Sequence, residues 1–402
     1  MSKKIILISY FFPPSNEIGG RRWGKFANYL AKKGHDVFVI CAPRPSIESD
    51  LHSNIHVTEL AIKYPGVLIS QPKTFLEKLK YHFWIRVLPF LYNGTIYDKG
   101  IFWENQLFET LDKITKTTEC KTVIVTGAPF SLLYYCGLYK EKNPQLKVIM
   151  DLRDPWTWGR GYGMQELSTE RFRAEESKEA SAVFHTDHFL VPSEAMCKFL
   201  RGKYSPHKSK ISVLPHAFDK EKLDKLSVSK PNDGIRRFIY GGSLYEGLDN
   251  EFLAISQVFK EQDDCQLDLF SKQKNYQSLF GKDVLDSKVF YRGFVTEDEL
   301  FQNVLQSDYY LLAFPEIYKD FISSKFYELI YLKIPIIYIG EKGLVSELIS
   351  ENNLGLHIYP SDVYQKLTEL FALEKPMTPQ DWEGINRYSF DAVTDSIISM
   401  LD

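Results

Sequence analysis

The chain has 402 residues, 44% of them hydrophobic and 14% aromatic, too much apolar chain for one ordinary core and the wrong composition for a disordered or fibrous protein. Lys plus Arg at 49 against Asp plus Glu at 52 gives a formal charge of −3, so no global basic excess points to nucleic acid. Cys41, Cys120, Cys136, Cys197 and Cys265 form an odd set without Cys-x-x-Cys, which argues against a disulfide framework or a zinc cluster. The apolar run in the opening MSKKIILISYFFPP is too short for a secretory signal, and no later stretch approaches a transmembrane length. A soluble, cytoplasmic, two-domain protein is the expectation.

Short apolar runs alternate with helical patterns from the start. Lys4–Ser9 is an expected buried strand; Arg21–Lys33 is an expected helix with Trp23, Phe26, Ala27 and Leu30 on one face; Gly34 stops it and Asp36–Cys41 is the next strand. Further strands are expected at Thr122–Thr126, Lys147–Asp151, His188–Val191 and Lys210–Val213. After a polar stretch, Asp219–Asp233, which reads as a linker, the rhythm restarts with Arg236–Tyr240, Gln266–Ser271, Val289–Tyr291, Tyr309–Ala313 and Ile334–Ile339. Strands apolar on both faces and separated by helices imply parallel sheets covered on each side. The expected fold class is therefore α/β, two Rossmann-like doubly wound domains facing a cleft, at 1–218 and 219–383. The terminal segment 384–402, with a helix from Phe390, is expected on either domain.

Two helix starts run against the usual placement of charge. The first strand leads through Phe11-Phe12-Pro13-Pro14 to Gly19-Gly20, followed by Arg21-Arg22. A glycine pair there admits a ligand close to the backbone, and exposed N–H groups suit an anion. Arginines at a helix N-terminus oppose the macrodipole, although solvated arginines after a plain glycine turn are the alternative. In the second half Ser323-Ser324 precede Lys325, placing a serine cap and a cation in the first turn of the next helix. Both ends would be relieved by an anion of two or more charges, and a pyrophosphate held between them is the economical choice. Glu328, three residues after Lys325, and Asp320 in the loop then fall where sugar hydroxyls would be bound; a surface Lys–Glu pair is the plainer alternative.

The runs PP…GGRRW…YLAKKGHDVFVI, VTGAPFSLL, DLRDPW (Asp151–Trp156), HFLVPSEAMCKFL…ISVLPHAFD, FIYGGSLYEG, VFYRGFVTEDEL and DYYLLAFPE…KDFISSKFYELIYLKIPII together resemble the GT-B glycosyltransferases, in particular the retaining family 4 and its bacterial surface-polysaccharide branch. The resemblance spans nearly the whole chain. It implies a hexosyltransferase-type enzyme that uses a nucleotide-diphosphate sugar as co-substrate, with no further cofactor. It also implies that Glu328 binds the ribose and Asp320, an Asp where the family has Glu, the sugar. Ser323, Ser324 and Lys325 would meet the diphosphate, Gly19 and Gly20 would cover it, Gly242 and Ser243 would line the donor loop, and Gly293, Phe294 and Val295 would hold the base. Thr296 with Glu299 forms a capping-box pattern that ties that loop to its helix. Ser243 and Glu246 depart from the family, which often carries Arg and Lys there. That leaves more of the leaving-group charge to Lys325 and the helix ends.

Transfer leaves charge on the departing diphosphate, and fixed donors aimed at it supply the stabilisation. No Asp-x-Asp occurs in the chain, so arginines, Lys325 and helix termini are the expected substitute for a metal. Arg21, Arg153 and Asp154 are acceptor-side candidates; Asp154 is a base if the enzyme inverts, and the alternative is a loop pinned by an Asp–Arg pair with Trp156 as core. The segment 73–92, KTFLEKLKYHFWIRVLPFLY, sets Lys73, Lys78, Lys80 and Arg86 against Glu77 among aromatics and leucines. It reads either as a patch for the inner face of a membrane, suiting a lipid-linked acceptor, or as a helix covering the sheet. A non-catalytic scaffold that binds a nucleotide sugar or a protein partner is the second function considered. A Rossmann oxidoreductase is discounted because Gly159–Gly163 follows Asp-Pro-Trp-Thr-Trp, not a strand. Nucleic acid is not an expected partner.

Overall fold

The computed structural model describes residues 2–15, 17–45, 51–69, 72–159, 161–273, 279–280, 288–323, 325–379 and 381–401. The chain divides into two compact units, Met1–Pro215 with Phe390–Asp402, and His216–Ser389.

The first unit carries strands β1 Lys4–Ile8, β2 Asp36–Cys41, β3 Ile55–Glu59, β4 Thr122–Gly127, β5 Lys147–Leu152, β6 His188–Val191 and β7 Ile211–Val213. Its helices are α1 Ile18–Lys32, α2 Phe75–Leu91, α3 Glu104–Thr118, α4 Ser131–Lys142, α5 Thr169–His185 and α6 Glu194–Lys203. The sheet order is β3-β2-β1-β4-β5-β6-β7, every pairing parallel. Ile5 to Ile8 and Thr122 to Gly127 are buried along their length, as strands covered on both faces must be.

The second unit carries α7 Lys220–Leu223, β8 Arg236–Gly241, α8 Asp249–Glu261, β9 Cys265–Phe270, β10 Val289–Tyr291, α9 Glu297–Leu305, β11 Tyr309–Ala313, α10 Phe326–Tyr331, β12 Ile336–Ile339, α11 Leu344–Glu351, β13 Gly355–Ile358 and α12 Val363–Phe371. Its sheet runs β10-β9-β8-β11-β12-β13, again all parallel. Apolar clusters lie on either face, one built on Phe238, Leu267 and Tyr309, the other on Ile239, Tyr310 and Ile336.

The polar stretch after Asp219 is not a loose tether. Asp219 caps α7 by accepting from the Lys222 N–H at 3.2 Å, Leu223 is buried in the second unit's core, and Lys230 pairs with Asp308 at 2.6 Å. The last helix, α13 Phe390–Ser399, belongs to the first unit. Phe390 meets the Phe26 ring edge-on at 4.9 Å, and Lys33 reaches both Asp391 and Asp395 at 2.8 Å. All five cysteines are buried and none is in a disulfide. Among the described residues no helix is long and apolar enough to cross a membrane.

Candidate functional site

Each sheet reverses its strand order at one point, between β1 and β4 in the first unit and between β8 and β11 in the second. Ligands of doubly wound sheets bind outside the strand carboxyl ends at such a point. The expected site residues lie on the segments that follow β1, β5, β8, β10 and β11.

In the first unit α1 enters beside the end of β1. Its cap residue, Glu17, is extended and its side chain accepts no capping hydrogen bond. Gly19 and Gly20 therefore lie in the first turn of the helix, not in a loop ahead of it as the sequence suggested. Their use is close packing. A Cβ on Gly20 would sit 3.0 Å from the Phe11 carbonyl carbon, and one on Gly19 would sit 2.5 Å from Nη1 of Arg153. Arg153 thus lies against the start of α1. Its Nε donates to the Gly127 carbonyl at 3.4 Å, its Nη2 donates to the Ala128 carbonyl at 3.3 Å, and Nη2 lies 3.2 Å from the Asp154 carboxylate. Asp154 in turn accepts from the Tyr162 hydroxyl at 3.0 Å.

Gly19, Arg153 and Asp154 are accordingly neighbours. Trp156 is core: its Nε1 donates to Glu175 at 2.7 Å and its ring stacks on Phe130 at 5.1 Å. The loop is pinned as the structural alternative has it, and Arg153 reaches the helix start all the same. Arg21 is exposed in the first turn. Arg22 turns inward: it donates to the Pro215 and Leu214 carbonyls, each at 2.8 Å, and its Nε lies 3.5 Å from Asp151. Burial lowers the Arg22 pKa against the opposing pull of Asp151. Asp151, fully buried, also accepts from Trp23 Nε1 at 2.6 Å and from the Thr126 hydroxyl at 3.2 Å. Sequence reasoning assigned Asp151 no role. The signal was present as a carboxylate following the apolar run Val148–Met150 inside a strand.

In the second unit the loops after β8, β10 and β11 line the corresponding edge. Gly242 follows β8 with φ +150° and Gly293 follows β10 with φ +79°; both have open space where a Cβ would stand. Both conformations favour glycine, and both leave bare backbone facing outward. The Gly293 carbonyl accepts from the Ser271 N–H at 3.0 Å, tying the β10 loop to the end of β9. Phe294 is 62% exposed with Lys272 Nζ 4.5 Å from its ring centre, and Val295 packs on the core. The Thr296–Glu299 capping box forms as expected. Ser243 is exposed, and its carbonyl accepts from the Tyr240 hydroxyl at 2.6 Å.

Helix α10 begins at Phe326, so Lys325 is its cap residue and not part of the first turn. The Lys325 N–H donates to Ser323 Oγ at 3.3 Å and the Phe326 N–H to the Ser323 carbonyl at 3.0 Å. Ser324 lies outside the described residues. Glu328 is buried on α10, and the Tyr310 hydroxyl of β11 donates to the Gly241 carbonyl at 2.5 Å. Burial raises the Tyr310 pKa, and the Glu328 charge adds to the rise. Asp320 acts likewise on Tyr338, which burial first and that carboxylate second push up to about 12. Leu312 pairs with Tyr338 and Tyr310 with Ile336, so the two tyrosines share one sheet face.

A cavity of about 350 Å³ opens over one face of β8 and β9, lined by Arg237, Gln266, Asp268, Phe270 and Arg292 among others. Its Asp268 and Arg292 are paired at 2.6 Å, and it contains none of the expected residues. Among the described residues no group of three or more His, Cys, Asp or Glu is placed to hold a metal ion.

No protein-family model matches the chain, and no curated protein matches it in sequence. Solved structures do match in fold. A sucrose-phosphate synthase from Thermosynechococcus elongatus superposes with a TM-score of 0.64 at 12% identity, over 99% of this chain and 98% of that one. An E. coli trehalose-6-phosphate structure bound with UDP-2-fluoro glucose gives 0.67 at 11% identity, over 99% of both chains. A putative UDP-N-acetylglucosamine 2-epimerase from Listeria monocytogenes gives 0.56 at 12% identity, over 100% of this chain and 96% of that one. The chain has the GT-B fold, the expected two doubly wound parallel-sheet domains.

Proposed function

We propose that this chain is a glycosyltransferase that moves a hexosyl group from a nucleotide-diphosphate donor to a glycan or lipid-linked acceptor in surface-polysaccharide assembly, with retention, without a divalent metal, and at the inner face of the membrane. The observation that carries this is the carboxyl edge of the second sheet, where Gly242 and Gly293 offer bare backbone and the segment after β11 carries Ser323, Lys325 and the buried Glu328. In this assignment Gly293 to Val295 hold the base through backbone groups, Glu328 accepts from the ribose and Asp320 from the sugar. Lys325, Ser323 and Ser324 carry the diphosphate charge as it leaves, with Gly242 and Ser243 alongside. On the first unit, Gly19 and Gly20 and the cations Arg21 and Arg153 favour an anion at the start of α1, and Asp154 serves the acceptor. With retention, the donor phosphate takes the acceptor proton, so no side-chain base is required.

A thermal-shift screen against nucleotide sugars, followed by release of nucleoside diphosphate in the presence of acceptors, tests the assignment. Lys325→Ala and Glu328→Ala are each expected to lose about a hundredfold in turnover or most of the donor affinity. Unchanged kinetics in both remove the site. Ser243, where the resembling family often carries a cation, favours a second reading, a scaffold that binds donor without turnover; a thermal shift with no nucleotide release selects it.

A further inference from the structure

Helix α2 is firmly mounted and wrongly faced for a core helix. Its start is closed by a capping box, the Thr74 hydroxyl accepting from the Glu77 N–H at 3.2 Å and Glu77 accepting from the Thr74 N–H at 2.9 Å. At its far end Arg171 of α5 donates to the Pro89 carbonyl at 2.9 Å and the Tyr92 carbonyl at 3.0 Å. Yet Leu88 is the only buried residue of the helix, packed with Tyr64, Ile96 and Ile101. Phe75, Leu76, Leu79, Phe83, Phe90 and Leu91 are between 52% and 90% exposed. At 3.6 residues per turn Leu76, Leu79, Phe83 and Phe90 form one stripe, opposite Leu88. Lys80 and Arg86 border that stripe on either side, and Lys73 and Lys78 add to the positive charge against Glu77 alone.

An apolar stripe of this size on a rigid mount needs an occupant. Charge selects it. A second copy would set four cations against four, whereas an anionic bilayer takes the leucines and phenylalanines into its interface and the cations to its headgroups. We propose that the outer face of α2 docks flat on an anionic lipid bilayer, with Leu79, Phe83 and Phe90 below the headgroups and Lys80 and Arg86 at their level. This deepens the membrane contact of the proposed function and rests on that reading's lipid-linked acceptor.

The test is flotation of the full chain with phosphatidylcholine vesicles, with and without about 30% phosphatidylglycerol. Binding to the anionic vesicles alone is expected. It should fall about tenfold in Phe83→Glu/Phe90→Glu, about tenfold in Lys78→Glu/Lys80→Glu/Arg86→Glu, and in roughly 0.5 M salt. The substituted side chains face water, so circular dichroism and the donor thermal shift should be unchanged, which certifies the fold of both variants. Absent wild-type flotation, or flotation indifferent to both variants, overturns the proposal. So does a wild-type dimer in sedimentation that the variants render monomeric without any lipid binding. If nucleotide release proceeds on a soluble acceptor while flotation fails, this surface falls alone; if flotation behaves as expected while no nucleotide sugar binds, the donor assignment falls and the surface stands.

Discussion

Replacing Gly19 by alanine probes the contact that joins the first unit's site residues. The added Cβ would lie 2.5 Å from Arg153 Nη1 and 2.6 Å from Cζ, so the guanidinium must retreat by about 1 Å to reach an ordinary contact. A flexible side chain can do so, but it gives up its donation to the Gly127 and Ala128 carbonyls. Those bonds are long, 3.3 to 3.4 Å, so their joint loss costs about 1–2 kcal/mol, below the usual value for charge-assisted bonds. Against that, alanine in a helix is better than glycine by up to about 1 kcal/mol. In the native background the substitution should therefore be neutral or destabilising by about 1 kcal/mol. In an Arg153→Ala background the obstruction is absent, and the same change should stabilise by up to about 1 kcal/mol.

The coupling of about 1–2 kcal/mol reads out as a difference of about 2–8 °C in the effect of Gly19→Ala on melting, given roughly 2–4 °C per kcal/mol for a unit of this size. Thermal melts of the wild type, both single variants and the double variant supply it. Equal shifts in the two backgrounds would refute the contact and detach Arg153 from the start of α1.

Three other outcomes are expected. Arg22→Ala leaves Asp151 buried without the guanidinium at 3.5 Å, and should cost about 3–5 kcal/mol in chemical or thermal unfolding, partly recovered by Asp151→Asn; a loss below about 1 kcal/mol would mean the carboxylate is held by Trp23 and Thr126 alone. Phe390→Ala removes the ring that fastens α13 to Phe26, and should lower stability by about 3 kcal/mol, a melt without a shift counting against that packing. His35 accepts the Lys3 N–H at 3.1 Å, and burial, then the Lys3 charge, lower its pKa from 6.5. Its neutral form is the stabilising one, so the contribution is complete above the ordinary value and drains away as pH falls through the lower folded value. Melting temperature should thus drop more steeply between about pH 7 and about pH 5 in the wild type than in His35→Gln; parallel profiles would exclude the histidine as the cause.

Interior strands were legible because burial on both faces leaves an unbroken apolar run. The two strands sequence reasoning missed, β3 and β13, each stand at one edge of their sheet, the opposite edges being the expected β7 and β10. In β3 only Ile55 is buried, and in β13 only Ile358, so neither writes a continuous apolar signal. The start of α1 was misplaced for a different reason. A glycine pair reads locally as a turn, but Gly20 and Gly24 are small because Phe11 and Pro13 lie against them, a tertiary demand with no local mark. Lys325 reads as first-turn for want of any sign that α10 is only six residues long. The contact of Arg153 with Gly19 joins segments far apart in sequence, and nothing near either residue announces it. For α2, apolar residues occur all around the helix; which side the protein covers is decided by Leu88 and its neighbours, not by the pattern.

The two inward-lying arginines of the first unit show how hydrogen-bond geometry separates a structural cation from one able to serve a ligand. Arg22 is spent on fixed partners, two carbonyls at 2.8 Å and a carboxylate that is fully buried, so turning it toward an anion would strand Asp151. Arg153 has none of that commitment. Its carbonyl contacts are long, its carboxylate partner is partly exposed and shared with Tyr162, and its guanidinium already lies at the positive end of α1. Swinging it onto an incoming phosphate or carboxylate would cost little and would lift a repulsion that the helix end otherwise imposes. The asymmetry assigns Arg22 to holding α1 against β5 and the segment that follows β7, and leaves Arg153 as the residue whose removal should weaken anion binding while sparing the fold.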